Sequence, residues 1–521
     1  MRAQAIAGLS ELGSKRLSLD AATAIRLGKA GVVVLALAYL AAFVVAAVLR
    51  LSYPFQLQVT EPASIREVER VLHGQPLYAA PTLNHVPMIY GPLYFYLSAV
   101  PSLIMGAGYA PLRLVSLLAS MGSLTLIALL VRADTGNLAA GVIGAGLFAA
   151  CYALSDTTLD TARVDALFVF FLLVGVCLSR AVTLRPAWAA PAALGSGIAL
   201  AAAAFTKVPI AAAPVALAIL LYLLAFARRR AVWYVTGLVI ASGLLLAGLY
   251  VQSGPWATWY LWDLPRQHEP RSNLVDRFWW TDTLPRLTIP LLLGPLFLVG
   301  SALRRNPRPI VFHSLVACAM FGLAWASRTN PGGSWNVLLP SQAMAGMLFG
   351  LGVHEAGRQL EGGSARARLF TGYLLALCVV QFGLLAYNPR LTVPYRSDQW
   401  ADEKLARTLA ALPGQVFAPD LDGYLRPSDK GEQPMQGAVG ELVATYGGKP
   451  TPSGVAWRSA LDQALAERRF LEVVVVRDDC CLPAILTEHG YTNRGPLFPP
   501  GDEFYAWKTS RTPEVDVWTA P

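Results

Sequence analysis

Charged side chains are scarce in this sequence: they make up 14% of its 521 residues, whereas hydrophobic residues make up 55%. A soluble domain carries about a quarter charged residues, so this composition excludes an ordinary soluble protein. The hydrophobic residues instead come in long runs, most of which can cross about 30 Å of hydrocarbon as a helix. The sequence therefore predicts an α-helical polytopic membrane protein with the lipid bilayer as a partner.

Cysteine and histidine are also rare, with six of each in the chain. Neither residue type shows the spacing of a metal-ligand motif, and His354-Glu355 lacks the second histidine of a zinc-binding helix. We therefore expect that no cofactor is required, and a divalent metal is not favoured.

The net charge of +9 is distributed unevenly. Residues 1–388 contain 28 Lys/Arg and 15 Asp/Glu and carry a net charge of +13. Residues 389–521 contain 14 Lys/Arg and 18 Asp/Glu and carry a net charge of −4. A nucleic-acid-binding protein gathers its positive charge on one face, but here the basic residues lie in short loops between hydrophobic runs. This is the positive-inside pattern of membrane proteins, and it argues against a nucleic-acid partner.

The hydrophobic runs and the basic clusters between them indicate how the chain is threaded. If every run crossed the membrane, the basic clusters would fall on both sides. If one run between the first helix and Arg132 does not cross, they all fall on one side. The best candidate is the run 92–107, which is the shortest and is interrupted by Pro101, and which would be re-entrant or interfacial. About eleven to thirteen transmembrane helices are expected, and eleven crossings are favoured. The runs lie at 30–49, 92–107, 111–131, 138–154, 165–183, 189–205, 208–227, 231–251, 287–303, 309–326, 336–353 and 369–388.

This threading places the N-terminus in the cytoplasm and the C-terminal part outside, with an uncleaved first helix in a cytoplasmic (inner) membrane. The C-terminal part alternates helix patterns with strand patterns such as FLEVVVVR at 470–477, which indicates a small extracytoplasmic α/β domain. It shows no glycine-rich phosphate loop, so a docking or acceptor-guiding role is favoured over a catalytic one. The predicted domains are a cytoplasmic segment 1–29, a transmembrane domain 30–390 with outer loops 50–91 and 252–286, and a soluble domain 391–521.

Two acidic residues stand out at the predicted outer face. Glu61 lies in loop 50–91, directly before an amphipathic helix pattern that bears Arg66, and Asp165 lies at the mouth of a helix, two residues after Arg163. Each acid can also be explained by a purely structural role, because a carboxylate at a helix N-terminus is stabilised as a cap or by the helix dipole.

Basic residues face the same side. Lys207 stands alone between two hydrophobic runs, where charge is expensive and often functional, although such a lysine can also extend to the interface. Loop 252–286 carries tryptophans typical of an interfacial aromatic belt, followed by Arg266, His268, Glu269 and Arg271, which a belt does not require. Arginine and lysine bind phosphate, and a carboxylate can remove a proton from an attacking hydroxyl. The combination suits a substrate with a lipid tail and a phosphate headgroup.

Several short motifs follow one another in a distinctive order. They are Glu61 with its helix, Gly74-Gln75-Pro76-Leu77-Tyr78, His85-x-Pro87, Tyr90-Gly91-Pro92-Leu93-Tyr94, Ala162-Arg163-Val164-Asp165 and Thr206-Lys207-Val208-Pro209. Over residues 30–390 this order resembles the GT-C membrane glycosyltransferases, with the aminoarabinose-transferase and protein O-mannosyltransferase-like branch nearest. The resemblance implies a GT-C-like transmembrane domain that transfers a sugar from a polyprenyl-phosphate (or diphosphate) carrier to an acceptor at the outer face.

The resemblance also implies roles for individual residues. Glu61 would be the general base or its partner, and Asp165 the second acid. The substrate-binding residues would be Arg163 and Lys207 on the phosphate side, together with Arg66, His85, Tyr90, His268 and Arg271. One position departs from the family, because Thr60 precedes Glu61 where the family usually has Asp. Either Glu61 acts alone or the mechanism of this branch differs.

The sequence thus predicts an inverting glycosyltransferase that uses a polyprenyl-phosphate-sugar donor, with a lipid, a glycan or a protein as acceptor. A lipid-linked-sugar transporter or flippase is the first alternative, but it would distribute polar residues along a path through the membrane, whereas here they gather at one face. A non-catalytic membrane scaffold with an outer sensing domain is the second alternative.

Overall fold

The computed structural model of the chain describes residues 2–330, 332–360, 364–425, 430, 432–443, 451–477, 481–498 and 515–521. Within these residues, helices dominate up to about residue 390, and a mixed domain of short helices and strands follows.

The N-terminal part is a bundle of long hydrophobic helices. Eleven helical segments of the described residues are long and hydrophobic enough to cross a membrane, and they are formed by α1, α4–α9 and α12–α15. The prediction of eleven crossings is confirmed on this criterion, and the chain is an integral membrane protein. The helices are α1 (Arg2–Leu51), α2 (Glu61–Leu72), α3 (Leu93–Met105), α4 (Tyr109–Thr135), α5 (Leu138–Ala150), α6 (Val164–Leu184), α7 (Ala189–Ala204), α8 (Pro209–Phe226), α9 (Arg228–Ser253), α10 (Pro255–Thr258), α11 (Asn273–Arg277), α12 (Leu284–Leu303), α13 (Pro307–Thr329), α14 (Leu339–Gln359) and α15 (Ala365–Leu384).

Helix α3 is the hydrophobic run that was expected not to cross. It has only 13 residues and contains Pro101, too few to span about 30 Å at 1.5 Å per residue. Its second half leaves hydrophobic side chains uncovered, and Ile104 is 91% exposed. Because α3 does not cross, residues 52–60, 156–163, 254–272 and the C-terminal domain all lie at one end of the bundle, which we call the outer end.

Small residues let the central helix α14 approach its neighbours closely. Of its 21 residues, 16 are buried. Gly346 faces Gly144 of α5 so closely that a Cβ on Gly346 would lie 2.6 Å from the Gly144 carbonyl oxygen. One turn further along, a Cβ on Gly350 would lie 2.6 Å from the Ala140 oxygen. Such glycine spacing is a common means of packing helices in membranes, where dispersion contacts hold them together.

Substitution of Gly346 by Val is therefore expected to separate α5 from α14 and to lower the free energy of unfolding by about 1–3 kcal/mol, the usual effect of overpacking. Thermal unfolding of the detergent-purified protein measures this change. Gly372→Val in α15 is the matched control, because a Cβ there meets no atom within 4 Å. Equal thermal midpoints for the two variants would contradict this description of the interface.

The C-terminal domain contains a small mixed sheet. The strands are β1 (Val416–Phe417), β2 (Glu472–Val476), β3 (Thr492–Pro496) and β4 (Val515–Thr519), and the helices are α16 (Arg396–Ala411), α17 (Asp422–Leu425), α18 (Gln436–Leu442), α19 (Pro452–Ala466) and α20 (Leu482–Glu488). The strand order is β1-β2-β4-β3, with β1 and β2 parallel and the other pairs antiparallel. The buried strand β2 falls within the predicted run 470–477, and the predicted fold class is confirmed.

This domain packs against the first outer loop of the bundle. Arg66 of α2 forms an ion pair with Asp422 at 2.8 Å, and the indole nitrogen of Trp457 donates to the Thr82 carbonyl oxygen at 2.9 Å. Gly423 lies so close to α2 that a Cβ there would be 2.5 Å from Pro62. The C-terminal domain is therefore docked on the membrane domain and forms part of whatever site lies at the outer end.

Candidate active site

Glu61 begins α2 at the outer end and is fully buried, with 0% exposure. Its Oε1 accepts hydrogen bonds from Arg113 Nε at 2.9 Å and the Ala162 backbone nitrogen at 2.7 Å. Its Oε2 accepts from Arg113 Nη2 at 2.8 Å and the Leu57 backbone nitrogen at 2.5 Å. Burial by itself raises the pKa of Glu61, but the charge of Arg113 and these hydrogen bonds outweigh it and hold the pKa below its ordinary value. Both oxygens are thus engaged.

Arg113 was not singled out from the sequence, although it lies only a few residues inside α4. It is also 0% exposed, and its remaining N–H groups donate to the backbone carbonyls of Arg50, Tyr53 and Phe55 at 3.1, 2.6 and 2.6 Å. One guanidinium group therefore ties the end of α1, the start of α2 and α4 together. An isolated charge inside a hydrophobic run is the signal that could have identified it.

Asp165 lies in the first turn of α6, and its carboxylate accepts hydrogen bonds from three side chains. Its Oδ1 accepts from Lys207 Nζ at 2.6 Å and from Asn336 Nδ2 at 2.8 Å, and its Oδ2 accepts from Arg163 Nε at 3.0 Å. The structure thus brings together Arg163, Asp165 and Lys207, which were predicted as site residues from separate parts of the sequence. Asn336, which precedes α14, was missed, because an Asn beside a hydrophobic run gives no distinctive signal.

The two acids belong to one assembly. Glu61 accepts from the backbone of Ala162, three residues before Asp165, so the first outer loop directly supports the segment that carries the second acid. The preceding loop is unusual, since Asp156 and Thr157 both have positive φ angles, of 55° and 54°, a conformation that non-glycine residues rarely adopt. A buried ion pair between Arg50 and Asp160 at 3.1 Å helps to hold this loop in place.

The motif Tyr90-Gly91-Pro92 is fixed against the turn that carries Lys207. The Gly91 nitrogen donates to the Lys207 carbonyl oxygen at 2.8 Å, and the Leu93 nitrogen donates to the Phe205 oxygen at 3.0 Å. A Cβ at position 91 would lie 2.2 Å from that Phe205 oxygen, which explains why glycine is needed here. Two of the predicted motifs therefore form one structural unit that positions Tyr90 near Lys207.

Beside this unit lies a cavity of about 510 Å³ that we call the bundle groove. Its walls include hydrophobic residues of α8 and α13, such as Ile210 and Leu323. Three basic or potentially basic side chains line the same groove: Lys207, Arg266 and His268. A cavity lined by hydrophobic side chains together with Lys207 and Arg266 is suited to a lipid that carries a phosphate.

A second cavity of about 430 Å³ lies between the membrane domain and the C-terminal domain, and we call it the interdomain cavity. Arg163 and Thr60 line it from the membrane domain, and Asp420, Asp422 and Glu441 line it from the C-terminal domain. The two cavities share Ile89, Tyr90, Gly332 and Glu441 as lining residues. They therefore adjoin each other, with Tyr90 at their junction.

Three of the remaining predicted site residues lie outside the two cavities, and the fourth, His268, lines the bundle groove. His85 contacts Glu67 at 3.2 Å between α2 and the C-terminal domain, Arg66 is held by Asp422, and the backbone nitrogen of Arg271 donates to the Thr329 oxygen at 2.8 Å. These three residues are not among those that line the bundle groove or the interdomain cavity. His268 lines the groove and forms an ion pair with Glu441, which links the second outer loop to the C-terminal domain.

Two other features of the site were missed. Residues 332–336 contribute to the lining of both cavities, and Arg328 holds this segment by a hydrogen bond to the Gly333 oxygen at 2.7 Å and is itself ion-paired with Asp282 at 2.8 Å. Asp420-Leu421-Asp422 is an Asp-x-Asp pair in the C-terminal domain, a signal that could have been read from the sequence. Among the described residues, no group of three or more His, Cys, Asp or Glu side chains is arranged to hold a metal ion.

The chain is a polytopic membrane protein whose fold is similar to that of solved GT-C glycosyltransferases. ArnT from Cupriavidus metallidurans is similar over 94% of this chain and 98% of its own, at 14% sequence identity and a TM-score of 0.58, both in the apo state and bound to undecaprenyl phosphate. The oligosaccharyltransferase of Archaeoglobus fulgidus, in a complex with Zn and sulfate, is similar over 88% of this chain and 72% of its own, at 13% identity and a TM-score of 0.54. No protein-family description and no curated protein sequence matches the chain. The predicted resemblance is confirmed at the level of the fold.

Proposed function

We propose that this protein is a membrane glycosyltransferase that moves a sugar from a polyprenyl-phosphate carrier to an acceptor at the outer face of the membrane, with inversion at the anomeric carbon. The observation that carries the proposal is the junction at Tyr90, where a hydrophobic groove lined by Lys207 and Arg266 adjoins a second cavity lined by acids, amides and hydroxyls. In this proposal the N-terminus is cytoplasmic and the C-terminal domain extracytoplasmic, in a cytoplasmic (inner) membrane.

The bundle groove is the site that we assign to the donor lipid. Hydrophobic side chains of α8 and α13 can pack against the polyprenyl chain, while Lys207 and Arg266 lie where a phosphate headgroup needs positive charge. Structures of similar fold support this choice, since ArnT has been solved with undecaprenyl phosphate and the Archaeoglobus fulgidus enzyme with a dolichol-phosphate. The sugar attached to the phosphate would then extend past Tyr90 into the interdomain cavity.

The chemistry follows from this placement. The acceptor attacks the anomeric carbon from the side opposite the phosphate, the bond from that carbon to the phosphate oxygen breaks, and the lipid phosphate leaves with its charge. Lys207 stabilises the charge that grows on the leaving oxygen, an effect that is strong in a site shielded from water. Asp165 holds both Lys207 and Arg163, so it sets the position of the two cations.

We assign Glu61 to positioning rather than to proton removal. A general base needs a lone pair directed at the acceptor, but the two oxygens of Glu61 receive four hydrogen bonds and the residue is fully buried. Thr60, at the position where GT-C enzymes usually carry Asp, lines the interdomain cavity, whereas Glu61 is not among its lining residues. The proton of an acceptor hydroxyl would instead pass to a carboxylate of that cavity.

Reconstitution of the purified full chain in liposomes tests the proposal. With a panel of polyprenyl-phosphate sugars and extracted envelope lipids and glycans as acceptors, we expect one donor to be consumed and polyprenyl phosphate to be released, as measured by mass spectrometry. EDTA is expected to leave the rate unchanged, because we propose no metal requirement. Movement of intact donor across the bilayer without its consumption would identify a flippase instead, and neither consumption nor movement would favour a scaffold.

A further inference from the structure

We infer that a hydrophobic crevice in the C-terminal domain binds an alkyl chain of the acceptor, and that the acceptor is a small amphiphile with a hydroxyl group at its polar end. This inference deepens the proposed function and rests on it, since it names the class of acceptor and a site for it. The basis is a third cavity that adjoins the interdomain cavity along α18.

The third cavity has a volume of about 390 Å³ and lies between α18, α19 and α20, and we call it the domain crevice. Among the described residues that line it, Arg458 alone has a charged side chain, and it is bound to Asp462 at 3.1 Å. The rest of the wall is mainly hydrophobic, and its buried hydrophobic residues are Phe417, Val439, Trp457, Leu461, Leu482 and Ile485. A space with such walls binds water poorly and is suited to a hydrophobic ligand.

Helix α18 forms part of the wall of all three cavities. Val439 lines the domain crevice, Gln436 lines both the crevice and the interdomain cavity, and Glu441 lines both the interdomain cavity and the bundle groove. Pro419 is also shared by the crevice and the interdomain cavity, and its carbonyl oxygen accepts from the Gln436 nitrogen at 3.2 Å. The domain crevice therefore adjoins the interdomain cavity at Pro419 and Gln436.

The order of the three cavities suggests what each one holds. In the proposed function the donor lipid lies in the bundle groove and its sugar extends into the interdomain cavity, so the acceptor has to reach that sugar from another side. An acceptor whose alkyl chain lies in the domain crevice would bring its polar end to Pro419 and Gln436, beside the sugar. Because the crevice lies in the domain beyond the membrane helices, the alkyl chain has to leave the bilayer, which favours an amphiphile with one short chain over a lipid with two long ones.

A peptide is the other hydrophobic occupant to consider, and the contacts of β1 argue against it. One common way to bind a peptide is to add it to the free edge of a sheet, and β1, whose Phe417 lines the crevice, is an edge strand of the described sheet. This edge is covered, because the Gln433 side chain donates to the Val416 oxygen at 2.7 Å and accepts from the Ala418 nitrogen at 3.1 Å. An alkyl chain needs no main-chain partners of this kind.

Photo-crosslinking of the full chain in nanodiscs tests the inference. The probe is octyl β-glucoside with a diazirine at the end of its octyl chain, and mass spectrometry locates the crosslinked residues. We expect the crosslinks mainly on α18, α19 and α20. Unlabelled octyl β-glucoside should compete with the probe, whereas glucose and a neutral tripeptide of leucine should not.

A matched pair of variants on α19 shows whether the label lies in the crevice. Ser459 is exposed and lines the crevice, so the indole of Ser459→Trp would occupy that space and reduce the labelling by about tenfold or more. Ala460→Trp is the control, because Ala460 is also exposed but is not among the residues that line the crevice. With the donor and the acceptor extract found by reconstitution, Ser459→Trp should likewise raise the acceptor KM by about tenfold, and Ala460→Trp should match wild type.

Several outcomes would overturn the inference. They are labelling spread over the whole chain, equal labelling or equal acceptor KM for Ser459→Trp and Ala460→Trp, and equal competition by the peptide, which would identify a peptide site. Binding of decaprenyl phosphate to the same nanodiscs separates this inference from the proposed function. If decaprenyl phosphate binds but the crevice is not labelled, the inference is wrong and the lipid site stands. If decaprenyl phosphate does not bind, the proposed function fails, and the acceptor role of the crevice fails with it.

Discussion

Glu61→Gln is expected to lower the free energy of unfolding by about 3–5 kcal/mol, because it leaves the guanidinium of Arg113 buried without its counter-charge. Both side chains are fully buried and joined by two hydrogen bonds of 2.9 and 2.8 Å. Transfer activity should fall together with the thermal midpoint, since the same carboxylate supports the segment that carries Asp165. A residue that acted only as a base would lose activity at an unchanged midpoint.

Acid sensitivity provides an independent readout for the same pair. The pKa of Glu61 is lower in the folded protein than in the unfolded chain, so its stabilising contribution is complete above the unfolded pKa of about 4.3. That contribution is lost as the pH falls through the folded pKa. The wild-type protein should therefore lose stability below about pH 4 more steeply than Glu61→Gln, which has no group to protonate there.

Two further variants test whether the loss of stability comes from the unpaired charge of Arg113. Glu69→Gln makes the same change on the same helix at a half-buried position, where a charge contributes about 1 kcal/mol or less, so a small effect is expected. The double variant Glu61→Gln with Arg113→Met should be less destabilised than the sum of the two single variants, because no unpaired charge remains. A stable but inactive Glu61→Gln protein would restore Glu61 as the candidate general base.

Lys207→Met is expected to slow sugar transfer by about 100- to 1,000-fold, because the leaving phosphate loses a fixed positive charge in a site shielded from water. The effect should fall mainly on kcat, since the charge on the leaving oxygen is greatest in the transition state. Steady-state kinetics with the donor found by reconstitution measure this change. Lys207→Arg keeps the charge but not the compact ammonium group, so it should retain part of the activity.

The structure also suggests how to separate this role from a structural one. Lys207→Met leaves Asp165 with two of its three donors, Arg163 and Asn336, so the fold should persist. If Lys207→Met were slow only because Asp165 had lost one donor, the double variant Lys207→Met with Asp165→Asn would regain activity. We expect that the double variant stays slow. Arg229→Met, on an exposed position at the other end of the bundle, is the control for loss of a positive charge. A Lys207→Met rate within about threefold of wild type would contradict the assignment, because removing such a group normally has a far larger effect.

The docked C-terminal domain changes the interpretation of the whole molecule. From the sequence it was expected to dock or to guide an acceptor, and the structure shows that it supplies walls of the interdomain cavity through Asp420, Asp422 and Glu441. In the function that we propose, a substitution in this domain would therefore alter the choice of sugar without touching the membrane helices. This possibility makes the C-terminal domain the first place to look for differences in specificity between proteins of this architecture.

The sequence by itself determined the membrane class, the eleven helices long enough to span, the exception at Leu93–Met105 and the small α/β domain. These features depend on hydrophobic length and local periodicity, which are properties of neighbouring residues. It also identified Arg163, Asp165 and Lys207, because a charge beside a hydrophobic run is conspicuous wherever the run folds.

Only the tertiary structure decided which of these residues lie together. Glu61 and Arg113 are 52 residues apart, and Asp165 and Asn336 are 171 apart. Whether a carboxylate is sealed by donors or faces a cavity depends on which distant segments pack on it, and no local pattern encodes that. The sequence predicted Glu61 as the general base or its partner, and the four donors packed around its carboxylate are the reason that we propose a positioning role instead. The structure also places Asp420, which the sequence analysis did not single out, in the wall of a cavity.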